Sequence, residues 1–222
     1  MSGKGIMYID IETRGNYENY QQFKINDEFG SDLFLKKYEK LAKDKYNTVD
    51  DAYKALCGLM SPYGSICCVS MGFYDRNGDK NIQSISNYDE KTLVHMLHEN
   101  LVKIHKHNFV LSGYNITNFD IPWMNHKFLK YGLTIPEITA TNGKKPWELD
   151  FIELSDMWKS NFKYYSSLEE VCYELGIKSP KSNMDGSEVN KYFWEKKLDN
   201  IVSYCELDVS STMDLGKILL NP

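Results

Sequence analysis

Residues 6–11, Ile-Met-Tyr-Ile-Asp-Ile, predict a first β-strand, and Glu12 follows them directly. Side chains alternate between the two faces of a strand, so Asp10 and Glu12 point to one face and the apolar neighbours to the other. Two adjacent carboxylates repel each other and resist burial. The pair is therefore either an exposed strand end or a place where a cation sits between two acids.

Downstream of this segment, strand-like and helical patterns alternate. Asn77-Gly78 predicts a hairpin turn because these residues tolerate positive φ, and Thr48 and Asp89 are predicted helix caps. This order of elements predicts an α/β protein in which a mixed sheet carries helices on its faces. The predicted strands cover 65–74, 81–86, 109–114 and 147–151, and the predicted helices cover 32–45, 50–59, 91–105, 122–131, 167–175 and two pieces of 188–220.

The length of 222 residues suits one well-buried domain. The simplest organisation is a single domain over residues 1–222, with a polar, largely helical insertion at 14–60. The charged stretch 36–51 within it is expected to be a solvated helix face rather than a binding patch.

The composition, with 42% apolar and 26% charged residues, is typical of a globular protein. No apolar run approaches the roughly 18 residues of a membrane span, and no signal peptide precedes the first strand. We therefore expect a cytoplasmic protein, or one of the host-cell cytoplasm if it is viral, with no membrane partner. The net charge of −5 disfavours nucleic acid as a partner unless the acids collect at a metal site. The five scattered cysteines are expected to be buried, reduced thiols.

Two further segments place acids at the ends of elements. Residues 115–120, Asn-Ile-Thr-Asn-Phe-Asp, put Asp120 after a predicted strand and at the start of a helix. Tyr204 and Asp208 are four residues apart and share a face of a predicted late helix. An apolar stripe beside them would hold that helix against the sheet, and it comprises Val202, Cys205, Val209 and Met213. Taken alone, each segment is compatible with an ordinary helix cap or a solvated face.

Together the three segments resemble the motifs of the DEDD-superfamily exonucleases. Residues 10–13 (Asp-Ile-Glu-Thr) are similar to the first motif, 115–120 to the second and 204–208 to the third, with the spacing of the tyrosine subtype. The chain most resembles stand-alone exonucleases related to the proofreading domain of family-B DNA polymerases. Further similarity lies in residues 61–66, 175–181 and 184–189. The resemblance implies a ribonuclease H-like fold, from which the long charged insertion is a departure.

The resemblance also implies 3′→5′ exonuclease activity by a two-metal mechanism that releases nucleoside monophosphates. Mg²⁺ is the expected ion, and Mn²⁺ is expected to replace it, because both prefer oxygen ligands. The implied ligands are Asp10, Glu12 and Asp208 for the catalytic ion and Asp120 for the second, with Asp10 bridging. Tyr204 would orient the attacking water, since its ordinary pKa near 10 makes it a poor base at neutral pH.

Several other residues are candidates for contact with the substrate, and each has an ordinary structural alternative. The leading candidates are Thr13, Asn115 and Phe119. Thr13 and Asn115 could instead be ordinary turn and strand-end residues. The aromatic candidates could pack in the core rather than stack on bases. The remaining candidates are Trp123, Tyr165, Lys178 and Lys181.

The expected substrate is the 3′-end of DNA, preferentially single-stranded, and a replication polymerase or other replication protein is the expected kind of partner. The motifs describe the metal site and not the sugar, so an RNA 3′-exonuclease on the same fold stays open. A non-catalytic nucleic-acid-binding module is the alternative of a different class. Retention of all four carboxylates argues against it.

Overall fold

A computed structural model describes residues 4–41, 43–145, 148–149, 151–159, 166–178 and 184–220. None of the described helices is both long and apolar enough to cross a lipid bilayer. The strands are β1 (Gly5–Gly15), β2 (Gly64–Tyr74), β3 (Lys80–Ser86), β4 (Phe109–Gly113) and β5 (Phe151–Glu153). The helices are α1 (Tyr20–Asn26), α2 (Glu28–Leu41), α3 (Val49–Leu56), α4 (Glu90–Lys106), α5 (Asp120–Lys130), α6 (Leu154–Trp158), α7 (Leu168–Leu175), α8 (Val189–Trp194) and α9 (Leu198–Leu220).

In the described part of the chain, the strands form one mixed sheet in the order β3-β2-β1-β4-β5. β1 is central, antiparallel to β2 and parallel to β4, which confirms the predicted α/β class. β1 extends to Gly15 because its ladder with β2 resumes after a β-bulge. At the bulge Glu12 pairs with Cys68 and Thr13 with Ile66, so Cys67 is the extra residue. Such bulges re-aim nearby side chains, and this one lies beside the first acidic pair.

Apolar side chains cover both faces of the sheet. On one face, Ile9 and Ile11 pack with residues of α4 and α5, among them Leu97 and Phe128. On the other face, Tyr8 packs with α9 residues such as Val209. Strand alternation therefore places Asp10 and Glu12 on the face that α9 covers.

The insertion between β1 and β2 has an aromatic core of its own. Phe23, Phe34 and Tyr53 come from α1, α2 and α3 in turn, and the Tyr53 ring centroid lies 5.2 Å from that of Phe23 and 5.3 Å from that of Phe34. Tyr63, at the entrance to β2, contacts Phe34 at 5.2 Å. The insertion is therefore joined to the sheet by packing as well as by the chain.

Several predicted boundaries change. The helix predicted over 32–45 is α2, which begins at Glu28 because the Asp27 carboxylate accepts a hydrogen bond of 2.8 Å from the Gly30 amide. α1 was not predicted, although its Asn19 cap is a normal signal. The helix predicted over 50–59 ends at Leu56 and continues as a 3₁₀ turn, Cys57–Leu59.

Two differences bear on the second motif. Of the described residues in the strand predicted over 147–151, only Phe151 belongs to β5, which runs to Glu153 and pairs in parallel with β4; Trp147 lies outside the described residues. α5 begins at Asp120, so Pro122 is its third residue rather than its first. The predicted caps Thr48 and Asp89 are confirmed.

Candidate active site

Asp10 and Glu12 lie next to the bulge on the central strand. Asp10 is half-buried and Glu12 is 7% exposed. The Cys205 thiol on α9 donates to Asp10 Oδ2 at 3.3 Å and to the Asp10 carbonyl at 3.5 Å. One carboxylate oxygen of each acid and Cys205 Sγ all lie within 4.8 Å of one another. The two acids thus share one small space beneath α9.

Asp120 approaches this space from the first residue of α5. It is 3% exposed, and its Oδ1 accepts a 3.0 Å hydrogen bond from the Ile11 amide. Because Ile11 separates the two acids of β1, this bond holds Asp120 beside them. Burial raises the pKa of Asp120 to about 7, against opposing hydrogen bonds from its own amide and that of Ile11, with further upward contributions from Glu153 and Asp208.

Tyr204 and Asp208 lie one helical turn apart on α9, and the Asp208 carboxylate contributes to the raised pKa of Tyr204. With Asp10 they line a cavity of about 230 Å³, whose other walls are Tyr114, residues 167–169 and Thr212. The adjacent face of α9 is buried at Cys205, Val209 and Met213, as predicted, whereas Val202 is only half-buried at its edge.

Negative charge accumulates here in a poorly solvated space. Burial raises the pKa of Asp10 well above its ordinary value, and the charges of Asp208 and Asp120 raise it further. Burial and then the charges of Asp10 and Asp208 do the same to Glu12. The pKa of Tyr204 is also raised, first by burial and then by Asp208, so its hydroxyl keeps its proton.

The donor set fits divalent metal ions. Asp10, Glu12, Asp120 and Asp208 offer carboxylate oxygens from three different elements, and hard cations such as Mg²⁺ and Mn²⁺ prefer oxygen. Burial is the largest cause of the raised pKa values of Asp10, Glu12 and Asp120, and the neighbouring negative charges add to it. Bound cations would offset both effects and restore the ionised forms.

Thr13 and Phe119 line a second cavity, of about 270 Å³, that also touches Glu12. The Thr13 hydroxyl donates to the Gly58 carbonyl at 2.5 Å and so ties β1 to the 3₁₀ turn of the insertion. Phe119 is half-buried, with its ring centroid 5.8 Å from that of Trp123. Both candidates therefore lie next to the acids, and their contact with substrate stays a prediction.

Asn115 has the contacts of a turn residue. Its φ is +64°, and its side-chain oxygen accepts a hydrogen bond of 3.0 Å from Asn118 Nδ2. Its backbone N–H donates to Glu153 Oε1 at 2.6 Å. Asn115 is not among the residues that line the cavities of about 230 and 270 Å³. The geometry thus explains Asn115 as a residue that shapes the loop before α5, and its predicted contact with substrate is untested.

The weaker candidates divide in the same way. Trp123 is 3% exposed and belongs to the core, in line with the packing alternative. Lys178 is exposed, and its carbonyl accepts the Ser211 hydroxyl at 3.1 Å. Tyr165 and Lys181 lie outside the described residues.

Two residues near the acids escaped the sequence reasoning. Glu153, at the end of β5, accepts hydrogen bonds from the Asn115 and Thr117 amides and so braces the loop that leads to Asp120. Cys205 carries the thiol that meets Asp10. The position of Cys205 on the predicted apolar stripe, directly after Tyr204, was a usable signal, but Glu153 had none.

A family model described as "Predicted 3'-5' exonuclease related to the exonuclease domain of PolB" matches residues 59–215. The matched stretch contains Asp120, Tyr204 and Asp208 but begins after Asp10 and Glu12. A sequence comparison with curated proteins finds no match.

The fold has solved relatives. The family B DNA polymerase from the hyperthermophilic archaeon Pyrobaculum calidifontis aligns with a TM-score of 0.59 and 14% identity, over 97% of this chain and 24% of that one. E. coli exonuclease I, in complex with a 5cy-dT13 oligonucleotide, aligns with a TM-score of 0.44 and 11% identity, over 97% of this chain and 40% of that one. The chain therefore spans well under half of either relative. The likeness to the polymerase shows the fold, a ribonuclease H-like mixed sheet with flanking helices.

Proposed function

Since the chain belongs to the family of predicted 3′-5′ exonucleases related to the exonuclease domain of PolB, we propose that it hydrolyses DNA from 3′-ends with two divalent metal ions. One observation carries the metal part of this proposal. Asp10, Glu12, Asp120 and Asp208 converge from β1, α5 and α9, and burial and then nearby negative charge raise the pKa values of Asp10, Glu12 and Asp120. We also propose that residues 1–222 form a single exonuclease domain.

The four acids have distinct positions in the proposed mechanism. Asp10 and Glu12 on β1 and Asp208 on α9 would hold the catalytic ion, and Asp120 would hold the second ion with Asp10 as the bridge. Bound Mg²⁺ ions supply an activated water and stabilise the leaving 3′-oxygen. The hydrogen bond from the Ile11 amide fixes Asp120 to the backbone of β1. The strand that carries Asp10 and Glu12 therefore also positions Asp120.

Tyr204 would position the attacking water. It lines the same cavity as Asp10 and Asp208. Because its pKa is raised by burial, the hydroxyl remains protonated at neutral pH and serves as a hydrogen-bonding group rather than as a base.

The test compares oligonucleotides labelled at either end. With Mg²⁺ or Mn²⁺, a 3′ label should leave at once as a mononucleotide, whereas a 5′-labelled strand should shorten stepwise, and EDTA should stop both reactions. Single-stranded DNA, duplex DNA and RNA of the same sequence are compared in parallel. Faster digestion of RNA would replace the DNA assignment by the RNA alternative.

A matched pair of α9 variants excludes contaminating nucleases. Asp208→Asn should lower the rate at least about a hundredfold because it removes a metal ligand. Asp214→Asn should leave the rate unchanged, because Asp214 does not line the cavity and instead forms an ion pair of 2.7 Å with Lys80. Equal rates for the two variants, or no hydrolysis by the unaltered protein with any metal, would contradict the proposed function.

A further inference from the structure

Two cavities continue from Glu12 along the edge of the insertion. The cavity of about 270 Å³ beside Glu12 and a cavity of about 380 Å³ beyond it share Lys54, Ser187 and Asn190 as lining residues. The second ends at Trp194 and Glu195 on the far side. The shared lining makes the two cavities neighbours, and we call the surface that they form together the Glu12–Trp194 channel.

The walls of this channel come from two separate parts of the chain. One wall is the insertion, with Lys54 on α3 and Leu59 in the following 3₁₀ turn. The opposite wall is α8 and the turn before it. Asn190 joins the α8 wall to β1, because its side-chain oxygen accepts a hydrogen bond of 2.9 Å from the Gly15 amide. The same oxygen accepts a hydrogen bond of 3.2 Å from Trp194 Nε1 within α8.

Close packing at Gly15 holds the two walls at a fixed separation. A methyl group at this position would come within 2.7 Å of Cys57 Sγ, in the insertion, and within 3.2 Å of the Asn190 side-chain oxygen, on α8. The channel is therefore built into the fold where β1, the insertion and α8 meet.

The lining combines apolar surfaces with two lysines and three glutamates, which are Lys54, Lys191, Glu12, Glu18 and Glu195. Leu59 is 62% exposed and Phe119 half-buried near Glu12, and Trp194 is half-buried at the far end. Lys54 is paired with Asp50 at 2.7 Å, whereas Lys191 extends from the exposed face of α8. Apolar and aromatic side chains with intermittent cations suit a single-stranded nucleic acid, whose bases stack in turn while its phosphates face solvent or lysine.

We propose that the Glu12–Trp194 channel holds the nucleotides that precede the 3′-terminal one in a single-stranded substrate, with Trp194 as a stacking surface and the insertion as one wall. The inference rests on the proposed function, because it takes the 3′-end to lie at Glu12. It assigns a role to the insertion, most of which precedes the segment that matches the family model.

The direct test measures binding without hydrolysis. Fluorescently labelled oligothymidylates with phosphorothioate linkages at the 3′-end are titrated with the protein, at increasing oligonucleotide length. Trp194→Ala should weaken binding about 5- to 150-fold for oligonucleotides long enough to reach it, and Trp194→Phe should restore most of the loss. Melting temperatures of both variants check that the fold is retained.

A charge-matched pair gives an independent readout. Lys191→Glu should weaken binding about three- to tenfold at low salt and reduce its salt dependence. Lys103→Glu makes the same charge change at an exposed position of α4, which packs on the opposite face of the sheet, and should leave binding unchanged. Equal effects of Lys191→Glu and Lys103→Glu would overturn the channel, as would unchanged affinity in Trp194→Ala.

A small substrate separates this inference from the proposed function. Thymidine 5′-(p-nitrophenyl phosphate) needs only the metal site, so its hydrolysis should be unaffected by Lys191→Glu or Trp194→Phe. If the unaltered protein hydrolyses neither this compound nor oligonucleotides, the proposed function fails. If it hydrolyses both and the channel variants bind long oligonucleotides normally, only the channel inference fails.

Discussion

Replacement of Asp120 by asparagine should stabilise the metal-free protein. Asp120 is 3% exposed, and its pKa of about 7 means that the folded environment disfavours the ionised form. Asparagine has almost the same shape, and its oxygen can still accept the 3.0 Å hydrogen bond from the Ile11 amide. The substitution therefore removes the charge while it preserves the contact.

The magnitude follows from the pKa difference. The pKa rises from 3.8 to about 7 on folding, and about 1.36 kcal/mol per unit corresponds to up to about 4 kcal/mol. Because folding raises the pKa of Asp120, the protonated side chain stabilises the folded protein by this full amount below pH 3.8. That stability is lost as the pH rises through about 7 and the side chain ionises in the folded protein. The asparagine variant lacks this pH dependence, so its advantage grows across that window and is complete at about pH 8.

Urea unfolding in EDTA at a series of pH values measures the effect. The variant should gain stability over the unaltered protein as the pH rises, while Mn²⁺ should raise the melting temperature of the unaltered protein more than that of the variant. Asp214→Asn is the control. Because Asp214 is already paired with Lys80, removal of its charge should not stabilise the protein. An Asp120→Asn variant that is no more stable than the unaltered protein at pH 8 in EDTA would refute the reasoning.

Three further outcomes are expected. Asp208→Ala should lower single-turnover exonuclease rates by several orders of magnitude, and a residual rate above about a tenth would count against its role as a metal ligand. Tyr204→Phe should lower the same rate about ten- to a thousandfold while Mn²⁺ affinity, followed by electron paramagnetic resonance, stays nearly constant; an unaltered rate would show that Tyr204 only packs. Glu153→Gln should lower the melting temperature, because a half-buried acceptor of the Asn115 and Thr117 amides becomes partly a donor, at a cost of about 1–3 kcal/mol; a cost near zero would show that the loop does not need this brace.

Local patterns were sufficient for much of the fold. The hairpin between β2 and β3, the caps at Thr48 and Asp89 and the glycine stop of α7 are set by residues close in sequence, so their prediction succeeded. The insertion was harder, because α1 and α2 depend on contacts such as Phe23 with Tyr53, about thirty residues apart, as well as on caps.

The sequence by itself determined which acids to examine, since Asp10 and Glu12 share a strand face and Tyr204 and Asp208 share a helix face through the periods of those elements. Only the tertiary structure decided how these pairs meet. The bond between Asp120 and the Ile11 amide, the Cys205 thiol at Asp10 and the Glu153 brace join residues 38 to 195 positions apart. No local periodicity records such contacts, because they depend on how the sheet order brings β1, β4 and β5 side by side and on how α9 packs across them.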